Sequence, residues 1–212
     1  VSDHARRLSE GAAELGVALD TRQLAQFATL AAELVRWNRA INLTAITTPD
    51  EILTQHLLDS LSAHRDLVGE RIADVGCGAG FPGLPLAIAN TGKHFTLIDA
   101  VDKKLRFIDH VVRELQLTNV QTQHARVEQL TSVQPYDCVI ARAFAPLPRL
   151  VDWVAPLCDA HTVVIAMKGR WPPADAADAA GPLPDGWRIE SVRPVHVPGL
   201  HADRNIVLLR RS

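Results

Sequence analysis

Leu24, Phe27, Leu30, Ala31 and Leu34 recur at steps of one, three and four, the spacing that gathers apolar side chains on one face of a helix. Asp20 is placed to cap that helix, and Gln23 to reach back to the cap. Leu8, Ala12 and Leu15 trace a shorter helix over residues 6–15. Thr48-Pro49-Asp50-Glu51 is a further start signal, with a helix predicted to run to about residue 66. Residues 38–47 carry no period and are predicted to be irregular. The pattern changes at Arg71. Short apolar runs at 71–75, 94–99, 119–123, 136–141 and 161–167 read as strands, with helices between them at 83–90, 102–115, 126–131 and 146–157. Leu105, Phe107, Ile108, Val111, Val112 and Leu115 give the second of these helices a wide apolar face. Residues 169–186, rich in Pro, Ala, Asp and Gly, are predicted to be a turn-rich crossover, and 187–197 with 204–210 a closing hairpin. The pattern predicts a helical cap over 1–68 on an α/β core over 69–212, the core a mostly parallel sheet ending in an antiparallel hairpin.

The chain has 212 residues, of which 47% are hydrophobic, so a sizeable core can form. No apolar run is long enough to span a bilayer, and residues 1–10 are too polar for a signal peptide. Cys77, Cys138 and Cys158 are odd in number and widely spaced. They suit neither a disulfide framework nor a zinc site, so no metal and a cytoplasmic location are expected. Net charge is −2. Proteins that coat nucleic acid are usually basic, so an RNA partner would require cations gathered on one face.

The most informative segment joins the first strand to the first helix of the core. It reads Asp74-Val75-Gly76-Cys77-Gly78-Ala79-Gly80-Phe81-Pro82-Gly83. Glycines permit positive φ and close approach of a ligand to the backbone. Dinucleotide loops read G-x-G-x-x-G; here Gly76, Gly78 and Gly80 fall at alternate positions. That form resembles the cofactor loop of S-adenosylmethionine methyltransferases, and the predicted sheet is similar to their seven-stranded architecture. Asp99 ends the next strand, 23 residues past Gly76. A carboxylate there can accept from ribose hydroxyls, or cap the helix that begins near Asp102; its register with the loop favours ligand contact.

Segments along nearly the whole chain carry a more specific resemblance. They are Asn42-Leu43-Thr44-Ala45-Ile46, His56-Leu57-Leu58-Asp59-Ser60, the glycine loop with Leu84 and Pro85, Asp102-Lys103-Lys104 with Arg106-Phe107, Arg126-Val127-Glu128, Ala141-Arg142-Ala143-Phe144-Ala145-Pro146-Leu147 and Met167-Lys168-Gly169. In order and spacing the chain resembles the RsmG (GidB) family, bacterial enzymes that methylate N7 of guanine 527 in the 530 loop of 16S rRNA. The resemblance implies S-adenosylmethionine as cofactor, with contacts from Gly76, Phe81, Val127, Glu128 and Arg142. Gly78, Gly80 and Asp99 join them from the loop pattern. Cys77 and Ala79 stand where the family often has Thr or Ser, and Pro.

The implied reaction needs little side-chain chemistry. Guanine N7 is a bare lone pair on the major-groove edge, so no base must remove a proton. In-line displacement would rest on orientation, which can supply roughly 7–11 kcal/mol. No residue is therefore assigned as catalytic; Arg142, His56 and Asp59 are candidates to position the substrate. Arg142 would meet the cofactor carboxylate by family analogy, or form an ion pair with Asp74 or Asp99. His56, Asp59 and Ser60 share a helix face, where they line the target pocket or form a structural hydrogen-bond cluster. Phe81 packs on the cofactor or plugs the loop, and Glu128 accepts from an adenine amino group or is merely solvated. Arg39, Lys103, Lys104, Lys168 and Arg204, with Arg142, are candidate RNA contacts, and Trp37, Phe144 and Trp171 candidate stacking platforms. The expected partner is 16S rRNA, the 30S subunit or an assembly intermediate, the protein acting as a monomer. The rival reading is a methyltransferase acting on a protein or small molecule, which the net charge favours.

Overall fold

The computed structural model describes residues 3–131, 134–172 and 181–211. The chain opens with α1 (Asp3–Glu14) and α2 (Thr21–Ile41). The cap of α2 forms as its sequence predicts: Gln23 N–H donates to Asp20 Oδ1 at 2.7 Å, and Gln23 Oε1 accepts from Asp20 N–H at 2.9 Å. The helix runs past the predicted stop at residue 38, because Ile41 still packs on the core. It ends where Asn42 turns left-handed at φ 47°. Asn38 holds the following turn, its Oδ1 accepting from the Leu43 and Thr44 N–H groups at 2.6 and 2.9 Å.

The next helical stretch departs from expectation. The Thr48–Glu51 capping box forms, starting α3 (Pro49–Glu51). The backbone then widens into a π-helix over Ile52–Leu58 before α4 (Asp59–Leu61). Such wide turns often mark functional positions. Here it places Gln55 and His56 beside the sheet. A 3₁₀ turn, His64–Asp66, leads into the core.

The core strands are β1 (Arg71–Val75), β2 (His94–Asp99), β3 (Val120–His124), β4 (Cys138–Arg142), β5 (Val163–Lys168), β6 (Trp187–Pro194) and β7 (Asn205–Arg211). Between them lie α5 (Gly83–Ala89), α6 (Asp102–Glu114) and α7 (Leu147–Val154). The sheet order is β3-β2-β1-β4-β5-β7-β6. The first five strands are parallel, and β7 runs antiparallel between β5 and β6. This is the mostly parallel, seven-stranded Rossmann-like sheet with a C-terminal antiparallel hairpin that the pattern predicts. The helix expected over 126–131 is only a 3₁₀ turn, Val127–Gln129, in which Val127 alone is buried. Residues 173–180, the middle of the predicted crossover, lie outside the described residues.

Apolar side chains cover both sheet faces, as a parallel sheet requires. Ile72, Cys138 and Ile140 join the core beneath α5, α6 and the N-terminal helices; Ala73, Val139 and Ala141 join the core beneath α7. Gln23 Nε2 donates to Ile88 O and Gln26 Nε2 to Leu115 O, both at 2.8 Å, tying α2 to the helices on that face. No helix among the described residues is long and apolar enough to cross a membrane.

Candidate functional site: two cavities at the switch point

Strand order reverses between β1 and β4. In open α/β sheets the crevice outside the strands' carboxyl ends, at that point, is where ligands sit. Two cavities lie there, and the segment leaving β4 lines both.

The first, about 160 Å³, is bordered by Gly76, Asp99, Val127, Glu128, Phe144 and Trp153. The alternate glycines serve three different needs. Gly76 (φ +65°) lies under Phe144: a Cβ there would come within 2.1 Å of the ring. Gly78 (φ +58°) would meet nothing within 4 Å, so its side faces open space. Gly80 (φ +86°) faces inward, where a Cβ would strike Leu84 at 2.5 Å. Asp99 pins the turn. Its Oδ2 accepts from Gly78 N–H at 2.9 Å and its Oδ1 from Val101 N–H at 2.8 Å. The carboxylate therefore ties β2 to the glycine loop and makes no side-chain cap on α6.

Asp74 lies deeper. It is fully buried; Oδ2 accepts from Gly83 N–H at 2.7 Å, while Oδ1 has no partner. Burial lifts its pKa from 3.8 to about 7, against the opposing pull of the Gly83 N–H and the Arg142 charge. Cys77 is buried beside Asp74, and burial pushes its thiol well up.

The second cavity, about 340 Å³, is lined by Ile46, Gln55, His56, Arg142, Lys168 and Arg204, with Asp59 in its wall. Asp59 is 2% exposed and holds two cations. Its Oδ2 accepts from Arg142 Nη1 at 2.9 Å and its Oδ1 from Arg204 Nε at 2.7 Å. Arg142 Nη1 also donates to Gln55 O at 2.9 Å, and Nη2 lies 3.3 Å from His56 Nδ1. A guanidinium only donates, so Nδ1 accepts and the imidazole proton sits on Nε2. It is directed at Thr44 Oγ1, 3.0 Å away. The ring stacks on Phe81 at 4.4 Å and 14°. Burial, aided by the Arg142 charge, takes its pKa from 6.5 down to about 3, so His56 is neutral at pH 7.

The sequence-selected residues thus divide. Asp99, Val127, Glu128 and Gly76 gather at the first cavity. Arg142, His56, Asp59, Lys168 and Arg204 gather at the second. Arg142 pairs with Asp59, not with Asp74 or Asp99. Arg39, Lys103 and Lys104 do not line the second cavity. Trp37 packs edge-on against Phe107 at 5.8 Å, a core position. Sequence reasoning overlooked Thr44 as a partner of His56, and Trp153, which meets Phe144 edge-on at 5.6 Å. A separate apolar groove of about 430 Å³ between α1 and α2 shares none of these residues.

The fold is that of S-adenosylmethionine-dependent methyltransferases. The chain is similar in structure to magnesium protoporphyrin IX methyltransferase from Synechocystis PCC 6803, solved with S-adenosylmethionine bound (TM-score 0.58, 19% identity, 92% of this chain and 99% of that one). It also resembles coclaurine N-methyltransferase (TM-score 0.54, 13% identity, 91% and 74%). The chain belongs to the GidB family, described as rRNA small subunit methyltransferase G, which matches residues 23–207. It is 42% identical to the ribosomal RNA small subunit methyltransferase G of Ectopseudomonas mendocina over 99% of this chain and 97% of that one. Identity to the Pseudomonas aeruginosa protein of the same name is 41%, over 99% and 96%.

Proposed function

We propose that this protein transfers a methyl group from S-adenosylmethionine to N7 of guanine 527 in the 530 loop of 16S rRNA, by direct in-line displacement. One observation carries the reading: two cavities of unlike chemistry meet at the switch point, divided by three consecutive residues, Arg142, Ala143 and Phe144. The first suits a nucleoside with an amino-acid tail. Gly78 leaves open backbone, Asp99 offers carboxylate lone pairs to ribose hydroxyls, and Glu128 can accept from an adenine amino group. S-adenosylmethionine, when bound, supplies a methyl group already activated on sulfonium.

The second cavity suits a guanine. Arg142 or Arg204 can donate to O6, leaving N7 free to attack. Asp59 cancels one of the cations, which limits repulsion as the ring gains positive charge. Neutral His56 holds Arg142 from the side and removes no proton, since N7 carries none. Lys168 and Arg204 reach phosphate from the rim, a contact weakened by salt. The work of Gly78, Asp99, Arg142 and His56 is orientation.

Transfer of labelled methyl groups to 30S subunits lacking the modification, followed by mapping of the labelled nucleotide, tests the reading. Label at guanine 527 is expected. Label on ribosomal protein, or none on 16S rRNA, rejects it.

A further inference from the structure

We infer that Phe144 is a gate that must leave Gly76 before the methyl donor can enter. The inference rests on the donor reading above and goes beyond it. Three observations support it. The ring lies so close over Gly76 that even a methyl group on that residue would come within 2.1 Å of Cδ2 and 2.5 Å of Cε2. The space over the first loop glycine is therefore filled by a side chain of the protein itself. The cavity that remains is about 160 Å³, whereas pockets for ligands of this size span roughly 300–1,000 Å³. Finally, the residue before the ring is a backbone joint in an uncommon state. Ala143 is exposed, is not glycine, and has φ +48°, a conformation an L-residue adopts only at a cost.

These observations fit one motion. With Ala143 left-handed, Phe144 is seated on Gly76 and edge-on to Trp153. Relaxing Ala143 to the ordinary region swings the ring off the loop, enlarges the cavity and relieves the strained backbone. Ala143 itself lines the second cavity, so the same change alters the wall against which the target base rests. Phe144 thereby sets an order of binding, donor before base.

Two substitutions should act in opposite directions, which general damage would not produce. Phe144→Ala removes the obstacle. Ala143→Gly frees the joint to stay left-handed and so favours the closed arrangement. Association of radiolabelled S-adenosylhomocysteine, followed by rapid filtration, reads both. The wild-type rate should level off at high ligand concentration, limited by opening. Phe144→Ala should restore a linear dependence, with association at least about tenfold faster. Ala143→Gly should slow association about fivefold, the size of the left-handed penalty it removes. Association rates that neither variant alters, with normal affinity, overturn the gate and leave the donor reading standing. No binding by the wild type overturns the donor reading, and the gate with it.

Discussion

The two cavities at the switch point are built by opposite strategies. The side proposed for the donor is mostly backbone: a glycine turn and two strand ends, pinned by the Asp99 carboxylate, which accepts from N–H groups at 2.9 and 2.8 Å. The side proposed for the base is mostly charge: Asp59, Arg142 and Arg204, brought together from the start of α4, the end of β4 and the residue before β7. Backbone cradles are specified locally and resist change unless the turn itself is altered. Ionic pockets are specified at a distance and fail when one partner is removed.

Asp59→Ala should break that contrast most. It leaves two guanidinium groups facing each other without their carboxylate, and losing one side of a buried ion pair costs about 3 kcal/mol or more. Urea denaturation should register the loss, and methyl transfer should fall at least about a hundredfold, roughly 3 kcal/mol of lost transition-state stabilisation. S-adenosylhomocysteine affinity should stay within about threefold, since Asp59 touches nothing in the donor cavity. An equal loss of donor binding would mean that the two sides are not separable.

Gly78→Val probes the other side. A branched residue at φ +58° is strained and projects into the open space beside the loop, where we propose the donor lies. Donor affinity should fall at least about thirtyfold, near 2 kcal/mol, while binding to small subunits persists. Retention of donor affinity in a calorimetric titration would remove Gly78 from the site.

The acid–base behaviour of the two sides is also opposed. His56, with its pKa depressed from 6.5 to about 3, stays neutral while the unfolded chain takes up a proton. Its contribution is complete above pH 6.5 and is lost as pH falls toward 3, about 2 kcal/mol of it by pH 5. Asp74, raised from 3.8 to about 7, keeps its proton while the unfolded chain loses one. Stability from Asp74 therefore falls as pH rises through that interval. Between pH 4 and 6.5 the slopes cancel in part. His56→Gln should unmask a decline in stability with rising pH, and Asp74→Asn a gain. Denaturation midpoints that move the same way in both variants would refute these assignments.

The smallest effect is expected from Lys103→Ala with Lys104→Ala, outside both cavities. Subunit affinity should drop only a few fold, and the slope of log affinity against log salt should lessen by about 1–2. Lys168→Ala, at the rim of the base side, should cost more in a filter-binding assay across salt concentrations.

The donor side was largely legible in the sequence, the base side only by its members. Strand, glycine turn and Asp99 lie within 29 consecutive residues, 71–99, and their spacing carries the geometry. Both capping boxes, at Asp20 and Thr48, are equally local. By contrast, Asp59 and Arg204 stand 145 positions apart. Each could be chosen as polar and well placed, but no periodicity assigns the pair. The π-helical widening at Ile52–Leu58 left no mark in a pattern that fits an ordinary helix. Gly76 shows the limit of motif reasoning. A ligand contact was the natural expectation from the motif, yet what first needs its missing side chain is Phe144.

The long reach of the Asp59 clamp has a consequence for biosynthesis. A polypeptide emerging from the ribosome carries the glycine turn, Asp99 and Trp153 well before Arg204 has been added. The nascent chain therefore holds every residue proposed to meet its small ligand while the socket proposed for its large one is still missing a wall.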